Sequence, residues 1–517
     1  MKSLQTSKLL LGIDIGTQAV KGILVDLEGH NYAQAALERG PKNPHPGWVE
    51  MNPEKDIWGA CVKVIKKLFA STSASPNKVA VIGVSGLVPC LCPIDEHGSP
   101  VGEMILYSDN RAIDELAWVE EASGLRLTAE AVIPKLIWIR DREPERFDRI
   151  KTVFSAHNYV VFRLTGERCI DYDTAAILGG IFDIQKKSWA GEILQRLHIP
   201  LSLFPPPKPA TSIVGSVSEA AAKQTDLPAG IPVIAGSGDT FPTMIGCGVV
   251  DPGDAMVSFG TTGLLTLTQK PLVESADGPH FDDGSGHASV AWIANVLSAG
   301  HLVHWYCEQF GTVEKTAANK MGSSILSILD AKASKLPPGA EGLIVLPHWL
   351  GRRTPTPDPH IRGAMIGFTP SHTPVHIYRA ILESFAYNLR QTYASASTSI
   401  SRVVATAGGA RSVLWRQIVT DILNTQIEYY PASSGSLGIA FLAGYAVGLI
   451  QDFEDIKKSW LRDPQITVPD PGSVPVYDRY FDIYCRFEQQ LSPSFMQLAY
   501  LMKDLGSINI VNLKRDI

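Results

Sequence analysis

An apolar run ending in a tight turn of Gly and Thr, twice with an Asp, occurs three times in this chain, and this constrains the fold more than any other feature. Leu9 to Ile13 runs into Asp14-Ile15-Gly16-Thr17, Ile231 to Ala235 into Gly236-Ser237-Gly238-Asp239-Thr240, and Ala255 to Phe259 into Gly260-Thr261-Thr262-Gly263. Short apolar runs bounded in this way predict buried strands whose carboxyl ends carry polar loops. Lys21 to Asp26 and then Glu28-Gly29-His30 predict that the first strand opens a β-hairpin. The design restarts near residue 230, so two similar lobes with a cleft between them are expected. A length of 517 residues exceeds one ordinary core and suits two large domains.

Between these turns the periodicity alternates. Ile57, Trp58, Cys61, Val62, Ile65 and Leu68 fall at helical spacing, Val79 to Val84 reads as a buried strand, and the stretches around Leu136–Ile139 and Tyr159–Leu164 read as helices. A long helix is expected from Val375 to Tyr393 and another over Ser412 to Leu423. Tyr477, Tyr480, Phe481, Tyr484, Phe487 and Leu491 predict a closing amphipathic helix between Val476 and Met502.

Composition removes several function classes. A net charge of -6, with no run of Lys or Arg, supplies no field for a nucleic-acid backbone. No apolar run approaches the ~20 residues of a membrane span, and Met1 to Lys8 is polar, so neither membrane nor secretory segment is expected. The seven cysteines are odd in number and scattered, which suits reduced, buried thiols and a cytoplasmic protein. Cys90 and Cys92 form half of a metal-site pattern with no second pair to complete it.

The three turns carry what phosphate chemistry needs. Asp14 with Gly16 and Thr17 places a carboxylate, a flexible backbone and a hydroxyl in one arc, suited to phosphate and to Mg²⁺; a plain hairpin turn uses the same residues. Gly260, Thr261 and Thr262 repeat the flexible backbone and the hydroxyl, and two such turns suit two clamps on one polyphosphate. Asp239, on its glycine turn before a helix, suits the base that takes a proton from an alcohol during phosphoryl transfer, or equally a helix N-cap. Gly408 and Gly409 precede a helix starting near Ser412 and allow a flat ring to approach the backbone.

Taken in order, these segments resemble the FGGY carbohydrate kinases, in their xylulokinase-like branch. Asp14-Ile15-Gly16-Thr17, with Gln18 adjoining, is similar to the family's first phosphate motif and Gly260-Thr261-Thr262 to its second. Gly236-Ser237-Gly238-Asp239 resembles the catalytic-base motif, and Ala407-Gly408-Gly409-Ala410-Arg411-Ser412 the adenosine motif; Leu437-Gly438-x-Ala440 also matches. The resemblance runs from about residue 9 to 500. It implies an α/β chain of two ribonuclease-H-like (actin-like ATPase) domains: 1–247 on the sugar side, 248–450 on the ATP side, and 451–517 as a C-terminal helical extension packing on the lobes. It also implies Asp239 as proton acceptor and ATP on Asp14, Gly16, Thr17, Gln18, Gly260, Thr261, Thr262, Gly300, Gly408, Gly409 and Ser412. Mg²⁺ is implied near Asp14 and Asp239, through water. His304, on the helix after Gly300, is open between nucleotide contact and a plain surface histidine.

The sugar side departs from the pattern. Leu87-Val88-Pro89-Cys90 stands where xylulokinases carry Gln-Met-His-Gly, so Pro89 replaces the histidine that meets the sugar, and Val88 and Pro89 become the pocket positions. Tyr107-Ser108-Asp109-Asn110-Arg111 replaces Trp-x-Asp-x-Arg; Asp109 and Arg111 are sugar-side candidates or a structural ion pair. Arg352, before Arg353-Thr354-Pro355, stands where the family has Glu. The expected function is an ATP-dependent kinase of a small ketose, D-xylulose or a related ketopentose. The alternatives are a polyol kinase (glycerol, erythritol or a pentitol) and a non-catalytic actin-like ATP-binding protein. Whether the chain forms a homodimer is open.

Overall fold

Leu9–Ile15 (β1), buried along nearly its whole length, turns back into Ala19–Val25 (β2) in antiparallel register from Leu10↔Val25 to Ile15↔Val20. This is the expected hairpin, seen in a computed structural model that describes residues 8–272, 290–358, 360–393 and 399–504. Asn31–Glu38 (β3) pairs antiparallel with β2, and Val79–Gly86 (β4) pairs parallel with the other side of β1. Ile213–Ser216 (β5), Pro232–Ile234 (β6) and Ser237–Gly238 (β7) complete a seven-stranded sheet of order β5-β6-β4-β1-β2-β3, with β7 beside β4.

The second sheet repeats this plan. Asp254–Phe259 (β8), Gly263–Thr268 (β9), Val290–Val296 (β10), Arg402–Thr406 (β11), Ile427–Tyr429 (β12) and Gln465–Thr467 (β13) are ordered β10-β9-β8-β11-β12-β13. Reading outward from β8, two antiparallel neighbours lie on one side. Two parallel neighbours and an antiparallel edge lie on the other. The same sequence of directions surrounds β1. The two-domain α/β expectation is met, but the restart is at Asp254 and not near residue 230. Pro232–Ile234 is a late strand of the first sheet, with Val233 opposite Ile82. An apolar run ending in a glycine turn describes the carboxyl end of any buried parallel strand as well as an opening strand.

The helices that matter for the site are Gly59–Ala70 (α1), Val132–Arg142 (α2), Ala156–Thr165 (α3), Thr240–Gly246 (α4), Gly300–Phe310 (α5), Pro374–Tyr393 (α6), Val413–Leu423 (α7), Gly435–Ala446 (α8) and Val474–Asp504 (α9). No described helix is long and apolar enough to cross a membrane.

Among the described residues, 8–250, 271–272 and 433–461 form one compact unit, and 251–270, 290–432 and 462–504 the other. The segment 433–450, placed by the sequence boundaries with the second domain, therefore packs in the first. The cause is α8, whose first ten residues are buried. A Cβ on Gly12 of β1 would stand 2.0 Å from Ser436 O, and one on Gly83 of β4 2.5 Å from Ile439 O. On the α4 side, a Cβ on Gly438 would stand 1.7 Å from Pro242 O and one on Gly246 2.1 Å from Ser434 O. Backbone meets backbone here, which only glycine allows.

The rest of the expected C-terminal extension divides as well. After residue 461 the chain adds β13 to the edge of the second sheet and then α9, whose Tyr477 and Tyr484 are fully buried. Glu488 of α9 explains Arg352: its carboxylate takes His348 Nε2 at 2.5 Å and Gln391 Nε2 at 2.6 Å, and pairs with Arg352 Nη1 at 3.2 Å. A glutamate at 352 would face Glu488 instead.

Gly438→Val is expected to lower stability by about 3 kcal/mol through overpacking. Gly191→Ala, whose Cβ would meet nothing within 4 Å, is expected to change it by less than about 0.5 kcal/mol. Urea unfolding of the two variants checks the difference.

Candidate functional site

Parallel pairing places Asp14 of β1 opposite Ser85 of β4, and Ser85 Oγ donates to Asp14 Oδ1 at 2.9 Å. β7, on the far side of β4, delivers Asp239 at the start of α4. The approach depends on Gly236, which has φ +77° and whose Cβ would stand 2.1 Å from Val84 O. Asp239 occupies the N-cap position, yet its side chain makes no capping hydrogen bond. Its carboxylate is met by Thr240 Oγ1 at 3.4 Å, while Thr243 Oγ1 donates to its backbone carbonyl at 2.6 Å. Of the two readings left open by the sequence, the cap is the one the geometry does not use.

Removal from bulk water, and then the charge of Asp14, push the Asp239 carboxyl up to about 7. Asp14 is also raised by burial, against the Ser85 hydrogen bond and the charge of Lys21. The two carboxyls resist ionising together. Gly435, the first residue of α8, lies against this pair: a Cβ there would stand 3.0 Å from the Asp14 carboxylate and 3.0 Å from Thr243 Oγ1. The amino end of a helix, which favours negative charge, thus adjoins Asp14.

The sugar-side candidates of the first unit fall into two groups. Val88 is half-buried and Pro89 buried, joined by a cis peptide bond; Val88 Cγ2 lies 2.5 Å from where a Cβ of Gly238 would be. Tyr107 OH is 3.5 Å from Thr17 Oγ1. Asp109 and Arg111 form the ion pair anticipated as their alternative. Asp109 Oδ1 accepts from Arg111 N and Nε, and Oδ2 from Val49 N and Arg111 Nη2. Arg111 also pairs with Glu50 at 2.6 Å and lies 3.7 Å over the Trp48 ring. Asp109 has no oxygen left over; Arg111 Nη1 is buried without a partner. Nearby Lys135, lowered to about 8 by burial, donates to the carbonyls of Tyr107 and Glu130.

In the second unit the structure gathers three of the expected segments at the carboxyl end of β8. Gly300 N donates to Gly260 O at 2.9 Å and His301 N to Thr261 O at 3.0 Å, which seats the start of α5 on that turn. A Cβ on Gly409 would meet Phe259 O at 2.9 Å and the Trp415 ring at 2.5 Å, whereas one on Gly408 would meet nothing within 4 Å. Gly408 therefore presents open backbone. Ser412 caps α7 by accepting from Trp415 N, and Thr261, Thr262 and His304 are exposed. In the first unit Gly16 N is used by Ala19 O within the hairpin, and Gln18 is exposed. Six of the seven free cysteines are buried, and burial pushes Cys61, Cys90 and Cys169 up to about 12.

Sequence reasoning missed Ser85, Lys135, Thr243 and Gly435. Ser85 had a signal, since it closes an apolar strand as Asp14 does. Gly435 had none, because nothing local ties residue 435 to residue 14.

Residues 9–246 match the N-terminal domain, and residues 255–447 the C-terminal domain, of the FGGY family of carbohydrate kinases. The xylulose kinase of Staphylococcus epidermidis is 29% identical over 488 residues, covering 92% of this chain and 96% of that protein. The gluconokinase of Bacillus licheniformis is 25% identical over 522 residues, covering 96% and 99%. The crystal structure of xylulose kinase from Rhodospirillum rubrum superposes with a TM-score of 0.78 at 29% identity, over 94% of this chain and all of that one. With both domains matched in order along most of its length, this chain belongs to the FGGY family of carbohydrate kinases and is an ATP-dependent sugar phosphotransferase.

Proposed function

We propose that this kinase phosphorylates a small ketose, D-xylulose or a related ketopentose, with Asp239 as the general base. The observation that carries the base assignment is the Asp239 carboxyl: free of the helix cap, recessed, and raised to about 7 beside Asp14. A base poised near neutrality holds an acceptor hydroxyl and takes its proton as the alcohol oxygen attacks the γ-phosphorus of ATP. The bond from phosphorus to the bridging oxygen breaks, and ADP leaves with that electron pair. The ketopentose reading is supported by the xylulose kinases among the relatives.

Nucleotide is assigned to the second unit's turns at Gly260, Thr261, Thr262, Gly300, Gly408 and Gly409, with Ser412, and to Asp14, Gly16, Thr17 and Gln18 of the first. The acceptor is assigned to Val88, Pro89, Arg111 and Asp239, with Asp109 orienting Arg111. Asp14 and Asp239 are hard oxygen donors and fit Mg²⁺, which when bound neutralises charge on the phosphates. A polyol acceptor is the second reading, favoured by the apolar Val88 and Pro89, which offer no side-chain hydrogen bond to a sugar.

With ATP and a panel of ketoses, pentitols and aldonates, Asp239→Asn is expected to lower acceptor-stimulated ADP release by on the order of 10³-fold; near wild-type turnover would remove Asp239 from the base role. In the wild type, kcat/KM is expected to rise as a single ionisation near pH ~7. Stability should move the opposite way. The raised carboxyl costs the fold nothing well below the unfolded value of about 4, and the cost grows as pH climbs through about 7. In metal- and nucleotide-free protein, Asp239→Asn should therefore raise the melting temperature above about pH 7 and lose that advantage toward about pH 4.

A further inference from the structure

The carboxyl of Asp173 has no part in the chemistry so far. It lies on the short helix Tyr172–Ala176, is 4% exposed, and its Oδ1 has no hydrogen-bond partner. Its neighbour Asp171, likewise buried, is fully partnered. Asp171 caps that helix through Thr174 N and is met by His157 Nε2 at 2.6 Å and Asn158 Nδ2 at 3.1 Å. Helix and core are thus served by Asp171, and Asp173 is left with one contact: Oδ2 accepts from Ser237 Oγ at 3.3 Å, two residues before Asp239. A buried polar atom without a partner is destabilising and calls for an explanation.

Its position supplies one. The point where a Cβ of Gly238 would stand lies 2.5 Å from Val88 Cγ2 and 3.4 Å from Asp173 Oδ2. Val88 and Asp173 therefore close on the same face of the residue that precedes the base. Val88 offers an apolar side chain there, and Asp173 Oδ2 a polar atom. Burial, and then the charge of Asp171, raise the Asp173 carboxyl well above the usual range, which favours its protonated form, able both to donate to and to accept from a hydroxyl.

We propose that Asp173 is a specificity-determining residue of the acceptor pocket, binding through its free Oδ1 a hydroxyl other than the one Asp239 deprotonates. This rests on the reading of Asp239 as base for a polyhydroxylated acceptor. Asp173 supplies the hydrogen bond that Pro89 cannot, and a site built around a hydroxyl rejects the analogue lacking it.

The test compares kcat/KM for the preferred acceptor with that for each of its monodeoxy analogues, in the wild type and in Asp173→Ala. The ratio is internal to each preparation, so a reduced fraction of folded enzyme cancels; Asp173→Leu, similar in shape, serves if the alanine variant does not fold. In the wild type one deoxy analogue is expected to be disfavoured by on the order of 10³-fold or more. In the variant that one ratio should fall to within about tenfold, while the ratios for the other analogues hold. Ratios that are all unchanged, or that all fall together, overturn the assignment. A wild type that prefers a polyol sinks the ketopentose reading, while the same ratios on that polyol's deoxy series still decide Asp173. A wild type that turns over no acceptor in the panel sinks both.

Discussion

Two carboxyl groups that cannot comfortably ionise together govern the first unit. Asp14 and Asp239 come from different strands of one sheet, and burial combined with the Asp14 charge raises Asp239 to about 7. Left alone, such a pair would move apart or take up a cation or a proton. Instead each is fixed from behind: Asp14 by Ser85 and the start of α8, Asp239 by the backbone contact of Thr243 and the glycines at 236 and 238. The raised carboxyl of Asp239 is thus sustained by packing.

That packing depends on contacts no side chain could replace. Gly12, Gly83, Gly246 and Gly438 let α8 rest on β1, β4 and α4 at backbone distance. The strand bearing Asp14 and the helix that begins at Asp239 are held by the same element. A shift of α8 would move both carboxylates, so stability and the placement of the pair are coupled through one helix.

What was legible in the sequence is what short-range patterns encode. The Asp14, Asp239 and Gly260 turns were found because a glycine turn after a buried strand is a local signature, and the long helices at 374–393 and 474–504 because apolar spacing repeats along them. Long-range pairing was not legible. The strand at 232–234 looks like an opening strand until its parallel partner at Ile82 is known. Arg352 looks unaccountable until Glu488 is seen beside it. For Asp109 and Arg111 the sequence left a structural ion pair among its alternatives, and the pair with its saturated Asp109 oxygens is visible only in three dimensions.

The return of residues 433–461 to the first unit has a consequence for how the chain is made. Most of the first sheet leaves the ribosome early, but the helix that seats Asp14 and α4 is separated from it by almost the whole second sheet. A nascent chain therefore holds an unfinished first core, with the apolar faces of β1 and β4 uncovered, while the second unit is being synthesised. Domain-by-domain folding during translation is the usual route for chains of this size. Here the earlier domain waits for the later one, so its exposed surface must be shielded, or tolerated, for most of translation.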